Sequence, residues 1–372
     1  MGGNKKRPLI AIFVPTLEAG GAERVMITLA NTLAEREFSV HLVVWSSEGP
    51  FLSLVSQDVR IVALGSHNPV KIILGLKRYL GTEKPAVFIS ALFVANILAA
   101  TAKALSRSNT HLIFTEHVGV RTYLKYDAGF VRRLCVPHLM RFTYPMAQNI
   151  VAVSEGAAKE LATIVGRSTA KRVISIYNPI DLAHIDKMAS ESVTLNDHSS
   201  SQIIISVGRL IASKNHELLI RAFAKVRSRR TCKLIILGEG MRRQQLESLA
   251  DSLGVASDIS LPGFVPNPYG WIKQSAVFVL SSIFEGLPTV LVEAMQCGIP
   301  VISTDCPTGP AEILQGGRWG KLIAPNDIDA LASAIEEALD GKFNYNTRTR
   351  AADFSIDKAI SRYVALFPAS VG

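Results

Sequence analysis

Cysteine is scarce in this chain of 372 residues: Cys135, Cys232, Cys297 and Cys306 are its four, and no two of them form a C-x-x-C pair. That excludes a zinc ribbon and a dithiol redox motif, and the four read as buried free thiols of a reducing cytoplasm. No P-loop occurs, and Gly238-x-Gly240 has Arg243 where the third glycine of a dinucleotide fingerprint would stand. A signal peptide is mimicked by MGGNKKRPLIAIFVPTLEAGG, but the apolar run soon meets Pro15 and Glu18 without a small-residue cleavage site, so it reads as a first strand. Lys6 breaks the myristoylation pattern. The uncharged stretch 85–102 is just long enough to raise a membrane span; Asn96 and Thr101 weaken it, and a strand followed by a buried helix accounts for both pieces.

Acidic charge is also short, 31 residues against 40 basic ones, for a formal net charge of +9. Such an excess suits an anionic partner. No RNP-like string, zinc-finger spacing or basic heptad region supports nucleic acid, which leaves phosphates and a membrane surface.

Hydrophobic residues make up 48% and charged ones 19%, enough for a full core and two domains of ordinary size. Short apolar runs alternate with helical patterns: LIAIFVP (9–15), SVHLVVW, VRIVALG and LIFTEH (112–117), then NIVAVSEGAAKEL with Ser154 as a helix cap. VISIYNPID (173–181) closes this series, a polar, Ser-rich stretch at 190–202 reads as linker, and IIISVGRLIASKNHELLIRAFAKV (203–226) restarts the pattern. The expectation is an α/β protein with a first Rossmann-like domain at 1–180, a linker at 181–202, a second Rossmann-like domain at 203–348 and a last helix in 349–372.

Residues 276–304, AVFVLSSIFEGLPTVLVEAMQCGIPVIST, are the most informative. They read as strand, small loop, helix from about Thr289 to Gly298, and strand, with Pro288 as the first helical residue. The helix N-terminus faces the strand's carboxyl edge, a place that binds phosphate, with Gly286 and Leu287 in the approach. Glu285 and Glu293 bracket it in an E-x7-E spacing; Glu293 lies among Val292, Ala294 and Met295 and wants a polar partner such as ribose hydroxyls. Taken alone, the pair could equally cap a helix or face solvent. Gly208, Arg209 and Lys214 follow a strand, where Arg offers a bidentate fork and Lys a point charge to a diphosphate. Gly20 and Gly21 open a helix where backbone N–H groups can approach an anion, or form a plain turn.

Two helices are basic and apolar. In 70–81, Lys71 and Arg78 align opposite Ile72, Ile73, Leu76 and Leu80, either as a solvated face or as a face for a lipid pyrophosphate. In 128–145, Phe130, Val131 and Leu134 share one arc and Arg132 and Arg133 the other, before a kink at Pro137, which suits an anionic membrane or packing inside the first domain.

The string EGLPTVLVEA (285–294) resembles the nucleotide-sugar site of the retaining glycosyltransferases with two Rossmann-like domains facing across a cleft, the GT-B fold. The resemblance is to the large family of bacterial polysaccharide and lipid-linked oligosaccharide enzymes. It covers nearly the whole chain, strongest in 203–325 and weaker before 180, and is closest to the branch adding N-acetylhexosamine or hexose units to lipid-linked oligosaccharides. TLEAGGAERVMITLANTLAE resembles the family's first loop, and TEHVGVRTYLK the segment whose histidine, here His117, lies beside the transferred sugar. The resemblance implies a UDP-sugar bound chiefly by the second domain and a polyprenyl-diphosphate-linked acceptor against the first. It also implies that the turn at Val265 reads the base by its backbone, and that the last helix crosses back to the first domain. Glu285 would hold the sugar and Glu293 the ribose. Arg209, Lys214 and the helix N-terminus at Thr289 would stabilise the departing diphosphate in place of a metal, with no cofactor. Work on the inner face of the cytoplasmic membrane is implied. Rival readings are a UDP-sugar epimerase of the same fold and a non-catalytic sugar-binding protein.

Overall fold

The computed structural model describes residues 7–18, 20–191 and 202–371. The chain divides into two units, one of Met1–Pro179 with Ile356–Gly372 and one of Ile180–Ser355.

The first unit is built on a seven-stranded parallel sheet of β1 (Leu9–Val14), β2 (Ser39–Val44), β3 (Val59–Ala63), β4 (Val87–Ala91), β5 (His111–Glu116), β6 (Asn149–Ala152) and β7 (Val173–Ser175), in the order β3-β2-β1-β4-β5-β6-β7. Its helices are α1 (Gly21–Glu35), α2 (Pro69–Thr82), α3 (Phe93–Ser106), α4 (Val120–Tyr126), α5 (Phe130–Thr143), α6 (Glu155–Val165) and α7 (Arg167–Ala170). Successive strand residues point to opposite faces, and a parallel sheet is covered on both. Accordingly, Ile10, Ile12 and Val14 enter one core with Met26 and Leu29 of α1, while Ala11 and Phe13 enter another with Leu76 of α2 and Ala99 of α3. The uncharged stretch 85–102 is β4 running into α3, and no helix among the described residues is long and apolar enough to cross a membrane.

The second unit has a six-stranded parallel sheet of β8 (Gln202–Val207), β9 (Cys232–Leu237), β10 (Ile259–Gly263), β11 (Val277–Leu280), β12 (Val301–Thr304) and β13 (Lys321–Ile323), ordered β10-β9-β8-β11-β12-β13. Its helices are α8 (Leu182–Ala189), α9 (His216–Arg227), α10 (Arg243–Ser252), α11 (Tyr269–Lys273), α12 (Thr289–Gln296), α13 (Pro310–Ile313), α14 (Ile328–Leu339) and α15 (Thr347–Ala351). The chain then returns: α16 (Ile356–Val364) places Ile360 and Tyr363, with Phe367 beyond it, in the core of the first unit beside Leu33 and Leu42. Each such burial contributes about 1.5–3 kcal/mol.

Three readings need correction. The expected linker begins with α8, which buries Ile185 and Ala189, is capped by the Asp181 side chain and belongs to the second unit; residues 192–201 of that linker lie outside the described residues. The second unit runs on to Ser355, past the expected limit at 348. Cys135 is exposed, because it lies on the outward side of α5. The orientation of α5, left open by the sequence, is with Phe130, Val131 and Leu134 outward and Val136 and Met140 packed inward.

Candidate functional site

In the second unit the strand order reverses between β8 and β11, and such a point leaves a crevice at the carboxyl ends of the strands. The loop after β8 carries Gly208, Arg209 and Lys214; the loop after β11 carries Ser282, Glu285, Gly286, Leu287 and Pro288. The two loops are stitched together. Ile283 N donates to Ser213 O at 2.7 Å and Ser281 Oγ to Lys214 O at 2.9 Å. Across this seam Lys214 Nζ meets Glu285 Oε1 at 2.6 Å, with the side chains only 19% and 12% exposed. Ser282 Oγ donates to the same oxygen at 2.6 Å. The cation and the carboxylate, to which the sequence assigned separate targets, are thus bonded to each other.

The far side of the Glu285 loop is clamped as well. Glu285 N donates to Pro307 O at 2.8 Å, Thr308 N to Glu285 O at 2.9 Å and Thr308 Oγ1 to Gly286 O at 3.0 Å. Gly309, at φ +78°, lets this happen, since a Cβ there would stand 2.6 Å from Gly286 O. Beneath the first loop, Gly238 plays the same part, because its Cβ would lie 2.1 Å from Gly208 O.

α12 begins at Thr289, one residue after Pro288, which sits in the capping position and brings no side-chain cap; the helix ends at Gln296, with Gly298 left-handed at φ +83°. Its first-turn N–H groups therefore point toward the strand edge without a capping side chain, at the positive end of the helix dipole. Gly286, Leu287 and Pro288 are buried, and Glu293 is half-buried one turn into the helix. Arg209 is exposed and is in no ion pair among the described residues. Val265 is half-buried between β10 and α11, at the edge of the sheet two strands from β8. His216, at the start of α9 behind Lys214, is held neutral: burial and the Lys214 charge push it down to about 4. Burial pushes the Cys297 and Cys306 thiols up to about 12, so neither is a nucleophile at neutral pH.

In the first unit His117 follows β5, 7% exposed, with Nε2 3.2 Å from Thr115 Oγ1 and Nδ1 without a partner. Burial pushes it down to about 4 while the neighbouring Asn178 side chain opposes this, so it is neutral at pH 7. Behind it lies a polar cluster that was not assembled from the sequence. Asn96 Nδ2 donates to Glu116 Oε1 at 2.8 Å, the Tyr144 hydroxyl donates to the same oxygen, and Ser90 Oγ donates to Asn96 Oδ1 at 2.5 Å. Glu116 Oε2 has no partner, and burial pushes the carboxyl up to about 7 against the bonds from Tyr144 and Asn96. The available signal was Asn96, a polar residue in an apolar helix.

Gly20 precedes α1 in extended conformation and Gly21 is its first residue. A Cβ at Gly20 would meet only the Glu23 carboxylate, the movable end of a flexible side chain, and Gly21 has open space, so neither glycine is sterically required. Lys71 and Arg78 are exposed on α2, which packs inward through Ile72, Leu76, Tyr79 and Leu80.

One Asp-x-Asp string is present, Asp327 to Asp329, and it is structural. Asp327 caps α14 by accepting from Ala330 N at 2.8 Å, and Asp329 pairs with Lys225 at 2.5 Å. Among the described residues no cluster of His, Cys, Asp and Glu could hold a metal ion.

Against known proteins, the family model "Glycosyltransferase Family 4" matches residues 19–184 and "Glycosyl transferases group 1" matches residues 191–355. Campylobacter jejuni N-acetylgalactosamine-N,N'-diacetylbacillosaminyl-diphospho-undecaprenol 4-alpha-N-acetylgalactosaminyltransferase is 30% identical over 364 residues, 93% of this chain and 95% of that protein. A second alpha-1,4-N-acetyl-D-galactosaminyltransferase of the same organism is 28% identical, over 96% of this chain and 97% of its own. Among solved structures, Anabaena HepE in complex with UDP-glucose superposes with a TM-score of 0.79 at 18% identity, over 96% of this chain and 98% of that one, a likeness of fold.

Proposed function

The chain belongs to the glycosyltransferases, its first half matching Family 4 and its second half group 1, and from that premise we propose that it moves an N-acetylhexosamine or hexose from a UDP-sugar to a saccharide carried on a polyprenyl diphosphate, with retention and without a metal. The observation that carries this reading is the Lys214–Glu285 pair beside the uncapped N-terminus of α12, at the reversal of strand order. The diphosphate lies against Lys214, Arg209 and the first turn of α12, which take up charge as the bond from C1 to the phosphate oxygen breaks. Glu285, fixed by Lys214 and Ser282, accepts from the sugar's hydroxyls. The acceptor oxygen attacks C1 on the face the diphosphate leaves, and its proton passes to the departing phosphate oxygen. The Campylobacter relatives' names support the lipid-linked acceptor, and the neighbour's bound UDP-glucose supports the donor. Such an acceptor places the enzyme on the inner face of the cytoplasmic membrane. Incubation of sugar nucleotides with lipid-linked acceptors, with and without excess EDTA, is the test. A mass increment of one sugar, undiminished by EDTA, is expected; free epimerised sugar nucleotide, or loss of transfer on chelation, overturns the reading.

Two expectations follow for separate parts of the site. Glu293→Ala is expected to weaken UDP binding by roughly ten- to hundredfold, about 1.5–3 kcal/mol for a charge-assisted bond to ribose. Calorimetry reads it, and unchanged affinity in a folded variant removes Glu293 from the site. Replacing Lys71 and Arg78 together with Ala is expected to raise the KM for a diphosphate-linked acceptor and to leave UDP affinity as it was. A variant that treats diphosphate-linked and diphosphate-free acceptors as the wild type does would make that face of α2 a solvated one.

A further inference from the structure

His216 stands at the crevice of the second unit, and the transfer proposed above makes no use of it. It is the first residue of α9, directly after Asn215, whose left-handed φ of 48° turns the chain from the Lys214 loop into the helix. The residue is 3% exposed, and both ring nitrogens are buried without a hydrogen-bond partner. An imidazole so placed forgoes the bonds that water would give it, and that cost asks for a reason. The ring lies against the Gly208–Arg209 backbone, whose carbonyls favour its charged form, and beside Lys214, whose charge opposes it. The Lys214 stem crosses the same peptide, with Cδ and Cε 3.4 Å from where a Cβ at Gly208 would stand. On either side the loop is fixed, Gly208 N donating to Leu237 O at 2.9 Å and Leu210 N to Glu239 O at 2.8 Å. The peptide that presents Arg209 is thus flanked by an ammonium group and a buried imidazole. Other charged groups on the surrounding elements are engaged elsewhere: Glu285 with Lys214, Glu217 of α9 with Arg221, Glu239 after β9 with Arg243, Asp329 of α14 with Lys225, and Asp327 in capping α14.

We propose that His216 is a positioning residue that takes up a proton from solvent when a diphosphate enters the crevice, and as imidazolium donates to the Gly208 and Arg209 carbonyls, fixing the peptide that presents Arg209. The proposal rests on the reading of a nucleoside-diphosphate donor and couples the binding of that donor to protonation. A neutral imidazole has one N–H and one bare lone pair, so against two carbonyls it satisfies one and is repelled by the other. The imidazolium has two N–H groups and satisfies both. In the empty crevice the proton is kept off by burial, by the Lys214 charge and by the positive end of the α9 dipole. A diphosphate bonded to Lys214 reverses the second of these, because its negative charges outweigh the ammonium group where little water screens them. The ring therefore gains its proton only with the donor present, and returns it to solvent when the product diphosphate leaves. His216 itself touches neither phosphate nor sugar in this scheme; it acts through the backbone that carries Arg209.

The test is calorimetric titration of the full chain with UDP, in buffers of different ionisation enthalpy, for wild type, His216→Gln and His216→Leu. The terminal phosphate of free UDP is itself partly protonated near neutral pH, so its binding to fixed cations releases protons, and the two variants measure that release. At pH 7 wild type is expected to take up about half a proton per UDP more than either variant. The loss of UDP affinity caused by His216→Gln is expected to be about tenfold larger at pH 6 than at pH 8, whereas a merely structural role gives one loss at both. Nitrogen NMR of the wild-type ring, before and after UDP is added, reads the same event without any variant: neutral when free, imidazolium when UDP is bound. Equal proton balance in wild type and folded variants, a loss of affinity that does not vary with pH, or a neutral ring in the UDP complex each overturns the proposal. Failure of UDP to bind overturns the donor reading and this inference with it; UDP bound beside a neutral ring overturns this inference alone.

Discussion

Lys214→Ala is expected to lower kcat about a hundred- to a thousandfold, the cost of removing one preorganised charge from a departing group. Two losses combine. The diphosphate loses a cation, and Glu285 loses the partner that fixes its carboxylate 2.6 Å away. Ser282 still donates to Glu285, and the backbone clamps from Ser213, Pro307 and Thr308 do not involve the lysine side chain, so the loop keeps its path. Stability is expected to fall by only about 1.5–3 kcal/mol, the worth of a charge-assisted bond. Lys214→Arg keeps the charge but not the geometry of a 2.6 Å point contact, and is expected to recover only part of the rate. Single-turnover assays separate chemistry from binding. A folded Lys214→Ala enzyme with wild-type kcat would place the stabilising charge elsewhere, with Arg209 the next to examine.

Glu116→Gln is expected to change how stability depends on pH, by about 3 kcal/mol between pH 4.5 and 8. In the folded protein the Glu116 carboxyl titrates near 7, above its ordinary 4.5. The native state therefore holds a proton that the unfolded chain releases, and the stability this brings is full below 4.5 and lost as pH rises through 7. His117 works in the opposite sense. Its folded value of about 4 lies below the ordinary 6.5, so its contribution is present above 6.5 and is lost as pH falls through 4. Between these limits the two neighbours largely cancel in the wild type. The glutamine variant removes the first slope and uncovers the second, so its melting temperature should climb relative to wild type from pH 4.5 to 8. Parallel melting curves for the two proteins over that range would show that Glu116 does not hold its proton.

Much of this was legible because parallel sheets covered on both faces write themselves as apolar runs: LIAIFV, VFISA and VFVL could hardly be anything else. The loops of the second unit's site were legible for a chemical reason, since an acid among Val292, Ala294 and Met295 and two cations beside Gly208 all ask for partners. What escaped was of two kinds. Contacts between residues far apart in sequence, such as Thr308 on Glu285 or Tyr144 on Glu116, leave no local periodicity to read. And a helical wheel says which residues share a side without saying which side the core takes. On α5 both sides carry apolar residues, and Val136 with Met140, not Phe130 with Leu134, proved to be the packed pair. α8 was hidden by the polar, Ser-rich run that follows it, although Asp181 before Leu182 is an ordinary capping signal.

The return of α16 to the first unit sets an order of events during synthesis. Domains generally fold as units while the chain emerges from the ribosome, N-terminal first. Here the first unit cannot finish first, because Ile360, Tyr363 and Phe367 of its core are made only after all of Ile180–Ser355. Until then Leu33 and Leu42 lack those neighbours, and apolar surface on the α1 side of the sheet stands open for the time it takes to translate a complete second unit. The inserted unit, by contrast, has its whole sequence in hand once Ser355 is out, with its two ends already side by side where Ile180 N donates to Phe354 O at 3.1 Å. The nascent chain therefore completes its second unit before its first.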